Sequence, residues 1–169
     1  MPKGMQPIYR QVLSGTASEV TFNNIPQTFT DLKIVINGRV NTGNAGTIYI
    51  RINGVATGYN AVVGYGETTG AGTFSSGAFH VGYITGPNID ANSTGSIEVY
   101  IPNYKSSSIK NAISNGFSEG NATSYQSSIQ NQNAISLLNQ SAVRSLTVLN
   151  DAGVSFTANT SFSLYGIGA

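Results

Sequence analysis

Short runs in which apolar and polar residues alternate recur along this chain, the mark of strands with one face buried. Leu32, Ile34 and Ile36 fall on one face of such a run, with Lys33, Val35 and Asn37 on the other. Ile48, Ile50 and Ile52 repeat the pattern with Tyr49 and Arg51 outward. Phe79, Val81 and Tyr83 flank His80 and Gly82, and Ile97, Val99 and Ile101 flank Glu98 and Tyr100. Val20 and Phe22 supply an early strand, and weaker runs follow at 109–117, 143–149 and 162–167.

The intervals 41–46, 53–58, 64–77, 86–95, 103–108 and 150–153 are rich in Asn, Asp and Gly. These residues accept positive φ and form short side-chain-to-backbone bonds, so the intervals read as turns and loops. Asn53-Gly54 is a hairpin signal. Pro26 and Pro102 mark strand ends or edges. The stretch 127–138 has Ile129, Ala134, Ile135 and Leu138 near one helical face, but its Ser and Asn content argues for loop or strand. The pattern predicts an all-β protein, an antiparallel β-sandwich of jelly-roll type with about eight strands. Residues 16–169 form the single domain and 1–15 an extended N-terminal arm carrying Ile8, Tyr9, Val12 and Leu13, which is tied down along its own sheet or across a neighbour.

Composition sharpens this picture. Charged residues make up only 9% of the 169 residues, the net charge is +1, and 20 glycines with many Ser, Thr, Asn and Gln fill the deficit. A nearly neutral surface has little self-repulsion and no long-range steering, which suits a subunit of a fixed assembly better than a free monomer. There is no basic run interleaved with aromatics, so nucleic acid is not an expected partner. No apolar run approaches the roughly 18 residues of a membrane span. The first ten residues lack the apolar core of a signal peptide.

Candidate chemistry is sparse. With no Cys, disulfides and thiolate metal sites are excluded. His80 is the sole histidine and must serve as base in any Ser–His–Asp triad, yet no nucleophile elbow accompanies it. Its place within a strand reads as an ordinary surface histidine. Seven acids, Glu19, Asp31, Glu67, Asp90, Glu98, Glu119 and Asp151, form no spacing that points to a carboxylate pair. The glycine-rich 64–70 loop lacks the spacing and the following helix of a phosphate cradle. Asp90, Asn92 and Thr94 echo a calcium loop, but Ile101 stands where the bidentate Glu belongs. The expectation is therefore no catalytic residue, no metal and no cofactor. Tyr59, Tyr65 and Phe74 lie in the glycine-rich segment 53–77, where aromatics give rigid contact area for a subunit neighbour or a sugar.

Several motifs carry a family resemblance. From Ser14 to Leu32 the chain runs through Phe22, Ile25, Pro26, Gln27, Thr28, Phe29 and Asp31. Arg51-Ile52-Asn53-Gly54 leads on to Tyr59, Ile101 and Pro102 precede Asn103 and Tyr104, and the chain closes on Leu164-Tyr165-Gly166-Ile167. In these segments the chain resembles a family of small virion structural proteins of tailed bacteriophages. The resemblance implies a non-enzymatic β-sandwich on the virion surface, a capsid decoration or cement protein bridging neighbouring subunits. It implies a homo-oligomer, a trimer at three-fold capsid positions, with the major capsid protein or other virion proteins as partners. The alternative is a tail-fibre or tail-associated receptor-binding module contacting host surface glycan. Ile8, Tyr9, Val12, Leu13, Tyr59, Tyr65 and Phe74 are the expected subunit or capsid contacts.

Overall fold

A computed structural model describes residues 4–65, 70–89, 91–118, 129–138 and 141–168. They form twelve strands: β1 (Gln6–Val12), β2 (Glu19–Phe22), β3 (Asp31–Gly38), β4 (Ala45–Ile52), β5 (Tyr59–Tyr65), β6 (Gly70–Ser76), β7 (Phe79–Thr85), β8 (Gly95–Ile101), β9 (Lys110–Ser118), β10 (Ile129–Leu137), β11 (Leu146–Asn150) and β12 (Ser161–Ile167). An eight-stranded sheet runs β1-β12-β3-β8-β9-β10-β5-β6, and a four-stranded sheet runs β2-β11-β4-β7. All ladders between these strands are antiparallel.

The chain switches sheets at nearly every step, from β2 to β3 to β4 to the β5–β6 hairpin to β7, and then through the β8–β9–β10 meander to β11. Reducing that meander to one strand leaves β2-β11-β4-β7 facing β3-β8-β5-β6, the two-sheet order of an eight-stranded jelly roll. The four extra strands are β1 and β12 at one edge and the two added by the meander.

Alternation explains the packing. Leu32, Ile34 and Ile36 of β3, Ile97, Val99 and Ile101 of β8, and Phe162 and Leu164 of β12 face Ile48 and Ile50 of β4 and Leu146 and Val148 of β11, all at 0% exposure. Each such side chain contributes about 1.5–3 kcal/mol relative to an exposed position. Phe156, outside any strand, closes the core edge-on to Phe162 at 4.8 Å.

The strands beyond the eight expected are β1, β5, β6 and β10. The interval 64–77, expected as a loop, holds all of β6 and the end of β5, and the stretch 127–138, expected as loop or strand, yields β10. Asn53-Gly54 makes no hairpin: with φ of 51° and 70°, it turns the chain out of the four-stranded sheet towards the eight-stranded one. In β7 the alternation breaks. Gly82 pairs with Ile48 and His80 with Tyr49, so Val81 is an extra residue in a β-bulge. Beyond it Tyr83 turns to the face opposite Phe79, not the same one.

Candidate functional site

The motifs that carry the family resemblance converge as architecture. Phe29 packs its ring against Gly166, where an added Cβ would stand 2.2 Å from the ring, so the opening and closing motifs need each other. The Tyr104 hydroxyl donates to the Pro26 carbonyl. Gln27 Nε2 donates to the carbonyls of Ile25 and Val143, both at 2.9 Å. Asp31 accepts from the Tyr100 hydroxyl at 2.6 Å and from the Asn103 amide at 2.7 Å. The tyrosine, donating to a carboxylate, has its pKa raised. Asn53 Oδ1 accepts from the amides of Arg144 and Ser145, while its Nδ2 donates to the Ala142 carbonyl. These side chains hold loops to strands.

The seven expected contact residues do not form one surface. In β1, Tyr9 and Val12 are 38% and 52% exposed, and Ile8 is half-buried against the core. Leu13 is a correction: it is 8% exposed, and its amide donates to the Thr160 carbonyl, so it anchors the arm. Tyr59 is a second correction, at 1% exposure. It begins β5 on the inward face shared with Ala61 and Val63. Its hydroxyl accepts from the Ile52 amide at 2.9 Å and donates to the Val55 carbonyl at 2.8 Å, and its ring meets Phe79 edge-on. Burial raises its pKa. Tyr65 and Phe74 lie in β5 and β6, and their side chains fall outside the described residues. β1 and β6 are opposite edges of the eight-stranded sheet, so contacts at both would be separate contacts.

His80 is also a correction. It is buried at 3% exposure, not superficial, because Tyr49 of β4 and Tyr83, which the bulge brings to the same outer side of β7, pack their rings against it. Burial pushes its pKa down, partly opposed by the charge of Asp151. Glu98 pairs with Lys33 at 2.9 Å, and Asp31 is held by Tyr100. Glu67, Asp90 and Glu119 lie outside the described residues. Among the described residues no three His, Cys, Asp or Glu side chains are grouped to hold a metal.

The sequence reading missed the outer face of the eight-stranded sheet. In β9 the buried set is Lys110, Ala112, Ser114, Gly116 and Ser118, while Ile113 and Phe117 point to solvent at 54% and 46% exposure. Val62 of β5 is 55% exposed on the same face. The ladders place Val62, Ala134, Ile113 and Tyr100 in one row across β5, β10, β9 and β8. The next row is Gly64, Gln132, Asn115 and Glu98. Between these rows runs an open groove of about 520 Å³. The alternation of β9 gives two candidate inner sets, and ordinary burial logic selects Ile113 and Phe117. Only the neighbouring strands fix the opposite choice.

No protein-family model matches the chain. No curated protein matches it. A solved structure of exo-inulinase from Aspergillus awamori aligns with 96% of this chain at 12% identity and a TM-score of 0.46, a likeness too distant to carry an argument. This chain spans 29% of that enzyme's length.

Proposed function

We propose that this protein is a non-enzymatic structural subunit of a tailed-phage particle, a decoration or cement protein that stabilises the particle surface by bridging neighbouring subunits. The observation that carries this reading is β1. It pairs on one side with β12, every residue but Ile8 is exposed, and among the described residues no strand pairs with its other edge. Met5 and Val12, each 52% exposed, offer apolar surface there. Tyr9 fixes the strand by stacking on Phe22 and donating to the Asn23 carbonyl at 2.5 Å. A pre-ordered strand loses little freedom when a neighbour covers it. Contacts of this kind stabilise the assembled state by mass action. The resemblance to tailed-phage virion proteins and the low charge support the same reading, with a homotrimer on three-fold capsid positions as the implied assembly.

The test uses particles stripped of this protein and rebound with wild type or with the Met5→Ser, Val12→Ser double variant. Exposed substitutions of this kind shift stability by about 0.5 kcal/mol or less each. Occupancy of the variant is expected to fall about tenfold or more, as at a contact hot spot. Unchanged occupancy would overturn the assignment of β1. Deleting residues 1–13 is a poorer test, since it also removes buried Leu13.

A further inference from the structure

We propose that the groove on the outer face of β5, β10 and β9 binds an uncharged carbohydrate chain. This goes beyond the structural role assigned to β1, which lies four strands from β9, about 19 Å at the usual strand spacing.

The first argument is register. Sliding β9 by one residue would bury Ile113 and Phe117 and expose its serines and Lys110. The fold instead seats Ser114 at 2% and Ser118 at 3% exposure inside and displays the large apolar groups. The buried serines gain hydrogen bonds there, Ser118 with Thr85 and Ser114 with Asn133, but the displayed Ile113 and Phe117 gain no burial, and apolar groups displayed at such a cost are where function is expected.

The second argument is the chemistry of the lining. Val62, Ala134 and Ile113 form an apolar row about 10 Å long, two strand spacings. Beside it, about 7 Å along the strands, Gln132 and Asn115 stand directly opposite one another. Each amide presents both donors and an acceptor. A pyranose ring has an apolar C–H face and a rim of hydroxyls that donate and accept, and it matches such paired rows. Among the described residues no lining side chain is charged, so none of them favours an anionic or cationic ligand over a neutral one. Gly64 completes the amide row without a side chain, which keeps that end open.

The third argument is size. A groove of about 520 Å³ lies in the range of small-ligand sites. A protein partner would need roughly 800 Å² of contact on this side. The apolar row offers two large side chains with Ala134 between them.

The test begins with an array of neutral and anionic glycans, followed by titration of the best neutral glycan into wild type, Gln132→Ala and Gly64→Val. A Cβ at Gly64 would lie 3.5 Å from the Gln132 carbonyl oxygen, ordinary contact, so Gly64→Val fills the groove and leaves the fold intact. Thermal unfolding of both variants checks this. The expected result is binding of a neutral glycan that weakens about tenfold or more in each variant at unchanged unfolding temperature. No neutral glycan bound at about 10 mM would overturn the proposal, as would binding that both variants retain. Loss of particle occupancy by the same variants without any glycan binding would overturn it in favour of a protein neighbour. The β1 double variant is expected to keep full glycan affinity, so failure here leaves the attachment reading separately decided.

Discussion

The two halves of the eight-stranded sheet are built on different principles. In β12, β3 and β8 the inner face is aliphatic and aromatic apart from Gly38, Gly95 and Gly166, and the outer face carries Ser163, Lys33 and Glu98. In β9 and β10 the inner face includes Lys110, Ser114, Ser118, Asn131 and Asn133, all at 3% exposure or less, and the outer face includes Ile113 and Phe117. Buried polar groups must find partners. Asn131 Nδ2 donates to the Val81 carbonyl and Asn133 Nδ2 to the His80 carbonyl, each at 3.2 Å. Ser118 and Thr85 hydroxyls meet at 3.1 Å, and Lys110 Nζ donates to the Ser106 and Ser108 carbonyls. Val81 is the bulged residue of β7, so the irregular strand of one sheet supplies acceptors to the polar strands of the other. Non-directional burial holds one half. Directional bonds between sheets align the other, and the apolar surface released there faces solvent.

Substituting the same residue type in both halves gives the largest contrast. Ile34→Ala removes a fully buried side chain of the aliphatic half and is expected to cost about 2–5 kcal/mol in denaturant unfolding. Ile113→Ala, on the displayed face, is expected to stay within about 0.5 kcal/mol. A large cost for Ile113→Ala would mean that β9 buries its apolar set after all, and the inverted register would fall.

A smaller effect tests how the polar half is aligned. The Asn131 side chain lies between two glycines: a Cβ on Gly116 would stand 2.5 Å from its Oδ1, and one on Gly82 2.6 Å from its Nδ2. Gly116→Ala is therefore an overpacking change, expected to cost about 1–3 kcal/mol. In an Asn131→Ala background the same substitution has room, so its added cost should drop to about 0.5 kcal/mol or less. A double-mutant cycle measures that coupling. Additive effects would show that Asn131 does not occupy the slot.

The halves also differ in how far the sequence discloses them. Where an inner face is purely aliphatic, as with Ile48, Ile50 and Ile52 or Leu32, Ile34 and Ile36, period-two alternation locates both strand and face. Tyr59 misled because its ring sits among glycines in sequence, while in the fold it meets Phe79 and its hydroxyl is held by the Ile52 amide at the end of β4 and the Val55 carbonyl, contacts that folding creates. β6 resembles a loop because Gly70, Ala71 and Gly72 give it no apolar period. The outer groove was hidden for a further reason. Which face of β9 points inward is decided by β8 and β10 through register, and no pattern within 110–118 records that decision. The bulge in β7 is equally silent, since one extra residue reverses the faces of all that follow it.

The smallest effect concerns pH and the strand behind the polar half. His80 is the chain's sole histidine, and burial holds its pKa below the ordinary value of 6.5 in the folded state. Between that lowered value and 6.5 the unfolded chain binds more protons than the folded one, so stability rises with pH across this window and declines as pH falls through it. Above 6.5 both states are neutral at this position and the dependence vanishes. Carboxylates titrate mainly nearer pH 4, so a slope between about pH 5 and 6.5 belongs to His80. His80→Phe keeps an aromatic ring between Tyr49 and Tyr83 and removes the proton. Its unfolding midpoint should be flat across that window where wild type declines. Since Asn133 bonds the backbone carbonyl of His80 and not its ring, amide exchange in β10 should respond to acid in wild type but not in the variant. A pH slope that persists in His80→Phe would remove the histidine, and with it the coupling of β7 to the polar half, from the explanation.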